Sequence, residues 1–206
     1  MLYFILPSYK LVERHIMIER YLEKIIKEDL KEKMVFVSGP RQVGKTTMAI
    51  NLAKEIFPTS YTYLNWDNAG DRAQMINGLW QANKKLFILD EIHKYRKWKN
   101  YLKGEYDKHK ESFNILVTGS ARLDIYRKGG DSLQGRYHAF RLHPLSVAEL
   151  EGNKNRNFSP FKELHFDAAP YQTFENLYQF GGFPEQVNKQ NERELRRWHL
   201  ERVDRL

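Results

Sequence analysis

SGPRQVGKTT, residues 38–47, decides how the rest of this chain is read. Within it, Gly39-Pro40-Arg41-Gln42-Val43-Gly44-Lys45-Thr46 fits the pattern G-x-x-x-x-G-K-S/T. A loop that wraps a phosphate with successive backbone N–H groups needs glycine where the chain turns tightly or approaches an anion closely. The spacing then sets Lys45 to reach the outer phosphates and the Thr46 hydroxyl to ligate Mg²⁺, with Thr47 still in the first turn of a helix whose positive end faces the anion. The loop as a whole, Gly39 to Thr47, is therefore the expected binding element for ATP and its magnesium. A chance glycine loop before a helix is the plain alternative, so the flanking sequence has to decide.

The flanks support the phosphate reading. MVFVSG (34–39) is a short apolar, β-branched strand ending in glycine, and TTMAINLAKEIF (46–57) has helical periodicity up to Pro58. Upstream, MIERYLEKIIKEDLKEK (17–33) places Ile18, Tyr21, Leu22, Ile25, Ile26 and Leu30 on one helical face. Downstream, YTYLNW (61–66), KLFILDE (85–91), NILVTGS (114–120) and YHAFRLH (137–143) read as strands, with helix over 72–81 and helical segments between the later strands. KLFILDE is apolar without alternation, as expected where helices cover both faces of a parallel sheet. Strands alternating with helices predict a three-layer α/β sandwich.

Asp90 and Glu91 close the third of these strands, as in the Walker B element. Asp90 is expected to hold Mg²⁺ and Glu91 to orient or deprotonate an attacking water, which favours hydrolysis over transfer to an alcohol. An acidic cap at a strand-to-helix turn is the competing reading. In an open parallel sheet the ligand lies at the carboxyl ends of the strands. Ser120, with Thr118 as alternate, is thus a candidate to bond the γ-phosphate or the water, against a Ser that merely caps the next helix. Arg136, just before the fifth strand, is a candidate to reach a neighbouring subunit's nucleotide, against an ordinary solvated arginine.

Composition sets the remaining bounds. The chain has 206 residues, 41% hydrophobic and 29% charged, with a formal net charge of +8 and no cysteine. Disulfides, thiolate metal sites and thiol nucleophiles are thereby excluded. The seven histidines (15, 93, 109, 138, 143, 165, 199) are scattered, with no zinc-protease pairing. MLYFILP at the start is too short for a signal core, and no run approaches the roughly 20 apolar residues of a spanning helix, so a cytoplasmic location without membrane contact is expected. The basic balance permits an anionic partner. Its best local support is IHKYRKWKNYLKGEYDKHK (92–110), where cations interleave with Tyr95, Trp98, Tyr101 and Tyr106 in a way that suits DNA or RNA. A helix packing its aromatics on the sheet explains the same stretch, since Trp98, Tyr101 and Leu102 share a face.

Three segments are expected: an extension and helix over 1–33, the phosphate-binding core over 34–150, and a loop and helical segment over 151–206 that begins a lid or linker. LSVAELEG (145–152) reads as a short helix, residues 152–170 as loop, and YQTFENLYQFGGFPEQV (171–187) as resumed helix before a Gly-Gly turn. NERELRRWHLERVDRL (191–206) is helix-periodic with no terminator, which suggests a further domain beyond it.

The set GPRQVGKTT, FILDEIHK, VTGSARL with DSLQGR, RLHPLSVAEL and FGGFPEQV, in that order, resembles the prokaryotic AAA-type ATP-binding proteins, whose ATPase core precedes a C-terminal domain. The resemblance runs from about Met17 nearly to the end. It implies an AAA+ P-loop fold with parallel strand order 5-1-4-3-2, Mg-ATP as ligand, Lys45 and Thr46 as loop ligands, Asp90 and Glu91 as Walker B, Ser120 as sensor and Arg136 as finger. The intact hydrolytic set favours an ATPase acting as motor or switch, with a homo-oligomer and an unidentified protein partner among the expected partners; the alternative is an ATP-gated nucleic-acid-binding or partner-binding scaffold with little intrinsic turnover. Arg193, Arg196 and Arg197 match no motif of the family.

Overall fold

The computed structural model describes residues 18–120, 133–152 and 171–203. The expectations for MLYFILP, for the loop over 153–170 and for the residues directly after Ser120 lie outside them.

Five strands, β1 (Met34–Ser38), β2 (Tyr61–Asn65), β3 (Leu86–Asp90), β4 (Asn114–Gly119) and β5 (Tyr137–Arg141), form one sheet in the order β2-β3-β4-β1-β5. Every pairing is parallel. The order is 5-1-4-3-2 read from the other edge, as expected. Register brings Ser38 beside Gly119 and Arg141, and Asp90 beside Asn65 and Thr118, so the carboxyl ends of all five strands finish at about one level.

Alternation within each strand divides the core in two. Val35, Val37, Leu86, Ile88 and Leu116 pack with Leu22, Ile26 and Leu30 around α1 (Glu23–Asp29) and with Met48, Ala49, Leu52 and Ala53 of α2 (Lys45–Ile56). Met34, Phe36, Phe87, Leu89, Ile115 and Val117 face the other way, against Met75 of α3 (Ala69–Ile76) and Trp98 and Leu102 of α4 (Trp98–His109). Burial on both faces is why β3 reads as an unbroken apolar run.

Two helices differ from expectation at their ends. The first forms only over Glu23–Asp29, because the Arg20 backbone N–H is taken by the Glu23 carboxylate and the Arg20 side chain is drawn away into the fold. The helix expected over 72–81 starts earlier and stops sooner. The Asn68 side chain accepts from the Gly70 and Asp71 amides as an N-cap, and Gly78 with φ +61 ends the run after Ile76.

After β5 the chain forms α5 (Val147–Leu150), α6 (Tyr171–Phe180), α7 (Pro184–Lys189) and α8 (Glu192–Val203). Ser146 and Glu149 make a reciprocal capping box for α5. The Gly-Gly turn between α6 and α7 is tied back to the core by a 2.7 Å bond from the Leu145 N–H to the Gly182 carbonyl. No helix of the described residues is long and apolar enough to cross a membrane.

Candidate nucleotide site

The loop of residues 39–44 leaves β1, an interior strand between β4 and β5, and enters α2 without a side-chain cap. Gly39 lies so close to β5 that a Cβ there would stand 2.4 Å from the Leu142 carbonyl oxygen, so only glycine fits. Gly44 sits at φ +94 at the head of α2, a conformation that side chains resist. Gln42 also holds a left-handed φ of +64. Successive residues in such conformations turn backbone N–H groups toward one concavity, the arrangement that receives anions.

Lys45 is buried, and its ammonium donates to the Gly39 and Pro40 carbonyls at 3.1 and 2.7 Å. Burial pushes its pKa down, opposed by the nearby Glu91 and Asp90 carboxylates. A cation kept there on weak carbonyl acceptors is placed to exchange them for a more negative oxygen.

Asp90 gathers hydroxyls. Its Oδ2 accepts from Thr46 Oγ1 at 2.8 Å and Tyr63 Oη at 2.9 Å, and its Oδ1 accepts from Thr118 Oγ1 at 2.7 Å. Three donors on a side chain that is itself 6% exposed fix it in place and set it directly against the first turn of α2. Burial, then the Asp90 charge, pushes the Tyr63 hydroxyl pKa up, so it stays a donor. Thr118 is fully buried and committed to Asp90, which makes it a support for the carboxylate. The donor set is hard oxygen throughout: one carboxylate and one hydroxyl side by side, with no cluster of three or more potential metal-ligating His, Asp or Glu among the described residues. Magnesium bound through few protein oxygens and completed by phosphate suits such a pair.

Glu91 occupies a left-handed conformation, φ +58, with its N–H bonded to the Thr118 carbonyl at 2.9 Å. The following turn, Ile92–Lys94, is anchored by fully buried Ile92. Lys94 approaches the Glu91 carboxylate at 3.7 Å and pairs with Asp67 at 2.5 Å, and His93 Nε2 lies 3.5 Å from Glu91 Oε2. Ser120, ending the fourth strand, faces the same His93 nitrogen at 3.3 Å. Thus Lys45, Thr46, Asp90, Glu91 and Ser120 converge at the carboxyl ends of β1, β3 and β4.

Arg136 is not with them. Its carbonyl accepts from the Met34 N–H at the opposite, amino end of β1, and its guanidinium grips Asp107 with two bonds of 2.7 and 3.0 Å. That pairing holds the Asp107 carboxyl below its ordinary range. Arg41, Pro40, Val43 and Thr47 lie within the loop and first turn, but only Val43 is fully buried. The aromatics of residues 92–110 are spent on packing: Trp98 is in the core, Tyr95 stacks on Trp66, and the Tyr101 hydroxyl bonds the Met75 carbonyl. Lys97, Lys103, Lys108 and Lys110 remain exposed, the arrangement of a solvated helix. Arg196 and Arg197 make local contacts to Glu192 and Glu194 on α8.

Sequence reasoning missed four participants. Tyr63 had a faint signal, a hydroxyl two residues before the end of a strand beside the Walker B strand. His93 adjoins the acidic pair but was one of seven scattered histidines. Trp198, on α8, donates from its indole to Gln42 Oε1 at 3.0 Å and packs on Phe183, bringing the C-terminal helices onto the loop. Arg20 carries no local signal at all. It is 5% exposed and bonds the Val43 carbonyl in the loop at 2.8 Å, the His143 carbonyl at 2.6 Å and Glu149 at 2.8 Å, partners 23, 123 and 129 residues away.

Comparison with known proteins agrees with this arrangement. The chain is 25% identical over 179 residues to the uncharacterized protein MJ1544 of Methanocaldococcus jannaschii, a match that covers 79% of this chain and 39% of that protein. It therefore spans well under half the length of that relative. In fold it is similar to the RuvB Holliday junction branch migration motor of Thermotoga maritima, with a TM-score of 0.50, 20% identity, and 82% of this chain on 58% of that one. It is likewise similar to Aeropyrum pernix ORC1, solved in complex with DNA, with a TM-score of 0.51, 14% identity, and 88% of this chain on 60% of that one. At those identities the likeness is one of fold. The AAA domain model matches residues 31–151, more than half of the chain and the stretch that carries the loop, Asp90, Glu91 and Ser120, and the chain belongs to that family of P-loop nucleotide-binding ATPases.

Proposed function

We propose that this chain binds Mg-ATP and hydrolyses its terminal phosphoanhydride, as the ATPase core of a motor or switch. The observation that carries the reading is the Thr46–Asp90–Thr118 hydrogen-bond set abutting the loop, with Glu91 as the next residue. Residues Gly39 to Gly44, with Thr47, would cradle the phosphates through the backbone, and Lys45 would leave its carbonyl partners for them. Thr46 and Asp90 would hold magnesium, which when bound offsets charge on the phosphate oxygens. Glu91 Oε would take a proton from the attacking water as its oxygen bonds the terminal phosphorus and the bond to the ADP oxygen breaks. The Ser120 hydroxyl would bond the terminal phosphate. The C-terminal helices would serve as the lid, a reading supported by the Trp198–Gln42 and Leu145–Gly182 bonds.

Arg136 would act on the nucleotide of a neighbouring copy, released from Asp107 on assembly. Its exposure and its distance from this chain's own loop favour an action in trans over one in cis. Steady-state Mg-ATP hydrolysis over a range of protein concentration tests both parts. Glu91→Gln should bind ATP and lose turnover, and specific activity should rise with concentration in the wild type but not in Arg136→Ala. Equal, negligible turnover in all three, with ATP bound, would instead identify a nucleotide-gated scaffold.

A further inference from the structure

We propose that His93 is a positioning residue that links Glu91 to Ser120, so that engagement of the Ser120 hydroxyl is passed to the water-activating carboxylate. The inference rests on the proposed hydrolase reading and deepens it. Three observations carry it. The imidazole Nε2 stands between the two groups, 3.3 Å from Ser120 Oγ and 3.5 Å from Glu91 Oε2. The other nitrogen, Nδ1, is buried with no hydrogen-bond partner. The turn that carries the ring is pinned by buried Ile92 on one side and by the Glu91 N–H to Thr118 bond on the other.

A buried Nδ1 without an acceptor is a poor place for a proton, because an N–H there would forfeit its hydration with nothing in return. The single proton of a neutral ring therefore belongs on Nε2, where both acceptors are. The charged groups around the ring are Glu91 and Lys94 on its own turn, Asp90 at the end of β3 and Asp67 in the loop after β2. Burial outweighs the carboxylates and pushes the ring's pKa down, which agrees with a neutral imidazole. One N–H then faces two acceptors at distances too long for a full bond to either. When the serine side chain rotates its oxygen away toward another partner, that N–H is left to Glu91 alone, and the carboxylate is held in one orientation. A phosphate oxygen at Ser120 would thus be reported to the base through a single imidazole.

The test is ¹⁵N NMR of the histidine side chains in the full chain, which does not depend on turnover. His93 should show the neutral Nε2–H pattern. Its Nε2 signal should move in the same direction with the Ser120→Ala substitution and with a non-hydrolysable ATP analogue, and stay in place with ADP. A His93 signal indifferent to both Ser120→Ala and Glu91→Gln overturns the link, whatever the activity. In kinetics, His93→Ala should lower kcat about tenfold or more with nucleotide affinity unchanged, and His93→Gln, whose amide N–H can replace Nε2–H, should restore much of it. If Glu91→Gln abolishes turnover while His93→Ala leaves it intact, the hydrolase reading stands and this inference falls. If no variant and no nucleotide alters turnover, the hydrolase reading falls, and the Ser120→Ala shift still decides the link.

Discussion

The two faces of the sheet are built from different material, and each holds half of the candidate site. The face beneath α1 and α2 is aliphatic and small, with Val35, Val37, Ala49, Leu52, Ala53 and Leu116. The opposite face is aromatic: Phe36, Trp66, Phe87, Trp98 and Phe113 are in its core, with Trp80 set edge-on to Phe87. α2 packs on this face through Met48, Ala49, Leu52 and Ala53, and its first turn sets the Thr46 hydroxyl on Asp90. On the other side the aromatic cluster packs against α3 and α4 and includes fully buried Ile92, which anchors the turn that presents Glu91. The aliphatic layer should therefore govern nucleotide binding, and the aromatic layer turnover.

The largest effect that would sharpen this division is at Arg20, the buried clamp of the loop side. Arg20→Ala leaves Glu149 buried without its cation and frees the Val43 carbonyl. It should cost about 3–5 kcal/mol in denaturant unfolding and weaken ATP binding. Should affinity persist in the folded fraction, the loop does not need its clamp. On the aromatic side, Ile92→Ala should cost about 3 kcal/mol and lower kcat while ATP affinity stays near wild type. A loss of affinity at unchanged kcat would break the division. Overpacking offers a milder probe: Ala53→Leu should push α2 off the sheet at about 1–3 kcal/mol, with ATP affinity falling before turnover does.

The smallest expected effect is a pH dependence at His93. Its folded pKa is depressed by burial below the unfolded value of 6.5, so the folded state binds fewer protons in that range. Its contribution is complete above pH 6.5 and declines as pH falls through the folded pKa. Unfolding titrations from pH 7.5 to 5 should therefore show a steeper loss of stability in the wild type than in His93→Gln. Parallel curves would mean that the ring is more hydrated than its packing implies.

Much of this molecule was legible in its residues, for reasons that can be named. The loop spacing, the unbroken apolar run before Asp90 and the strand-helix alternation each follow from local geometry or from burial on two faces, and the five strands lie within a residue or two of their expected spans. Thr118 and Ser120 could be placed at the right end of β4 but not told apart. Neighbours decide that: Thr118 faces Asp90, and Ser120 faces His93. The aromatic and basic run after Glu91 could equally have served nucleic acid, and packing gave its rings to the core.

By itself, then, the sequence determined the place of the glycine loop ahead of α2, the acidic pair at the end of β3 and the parallel α/β class, because each depends on residues adjacent in the chain or repeated at a fixed period. Only the tertiary structure decided that Arg20 clamps the loop, that Tyr63 and Thr118 hold Asp90, that His93 stands between Glu91 and Ser120, and that Arg136 lies at the far end of the sheet beside Asp107. Those contacts join segments far apart in sequence. No local propensity encodes them; those at the carboxyl edge exist because parallel pairing brings the ends of separate strands to one level, where most buried polar groups find a partner.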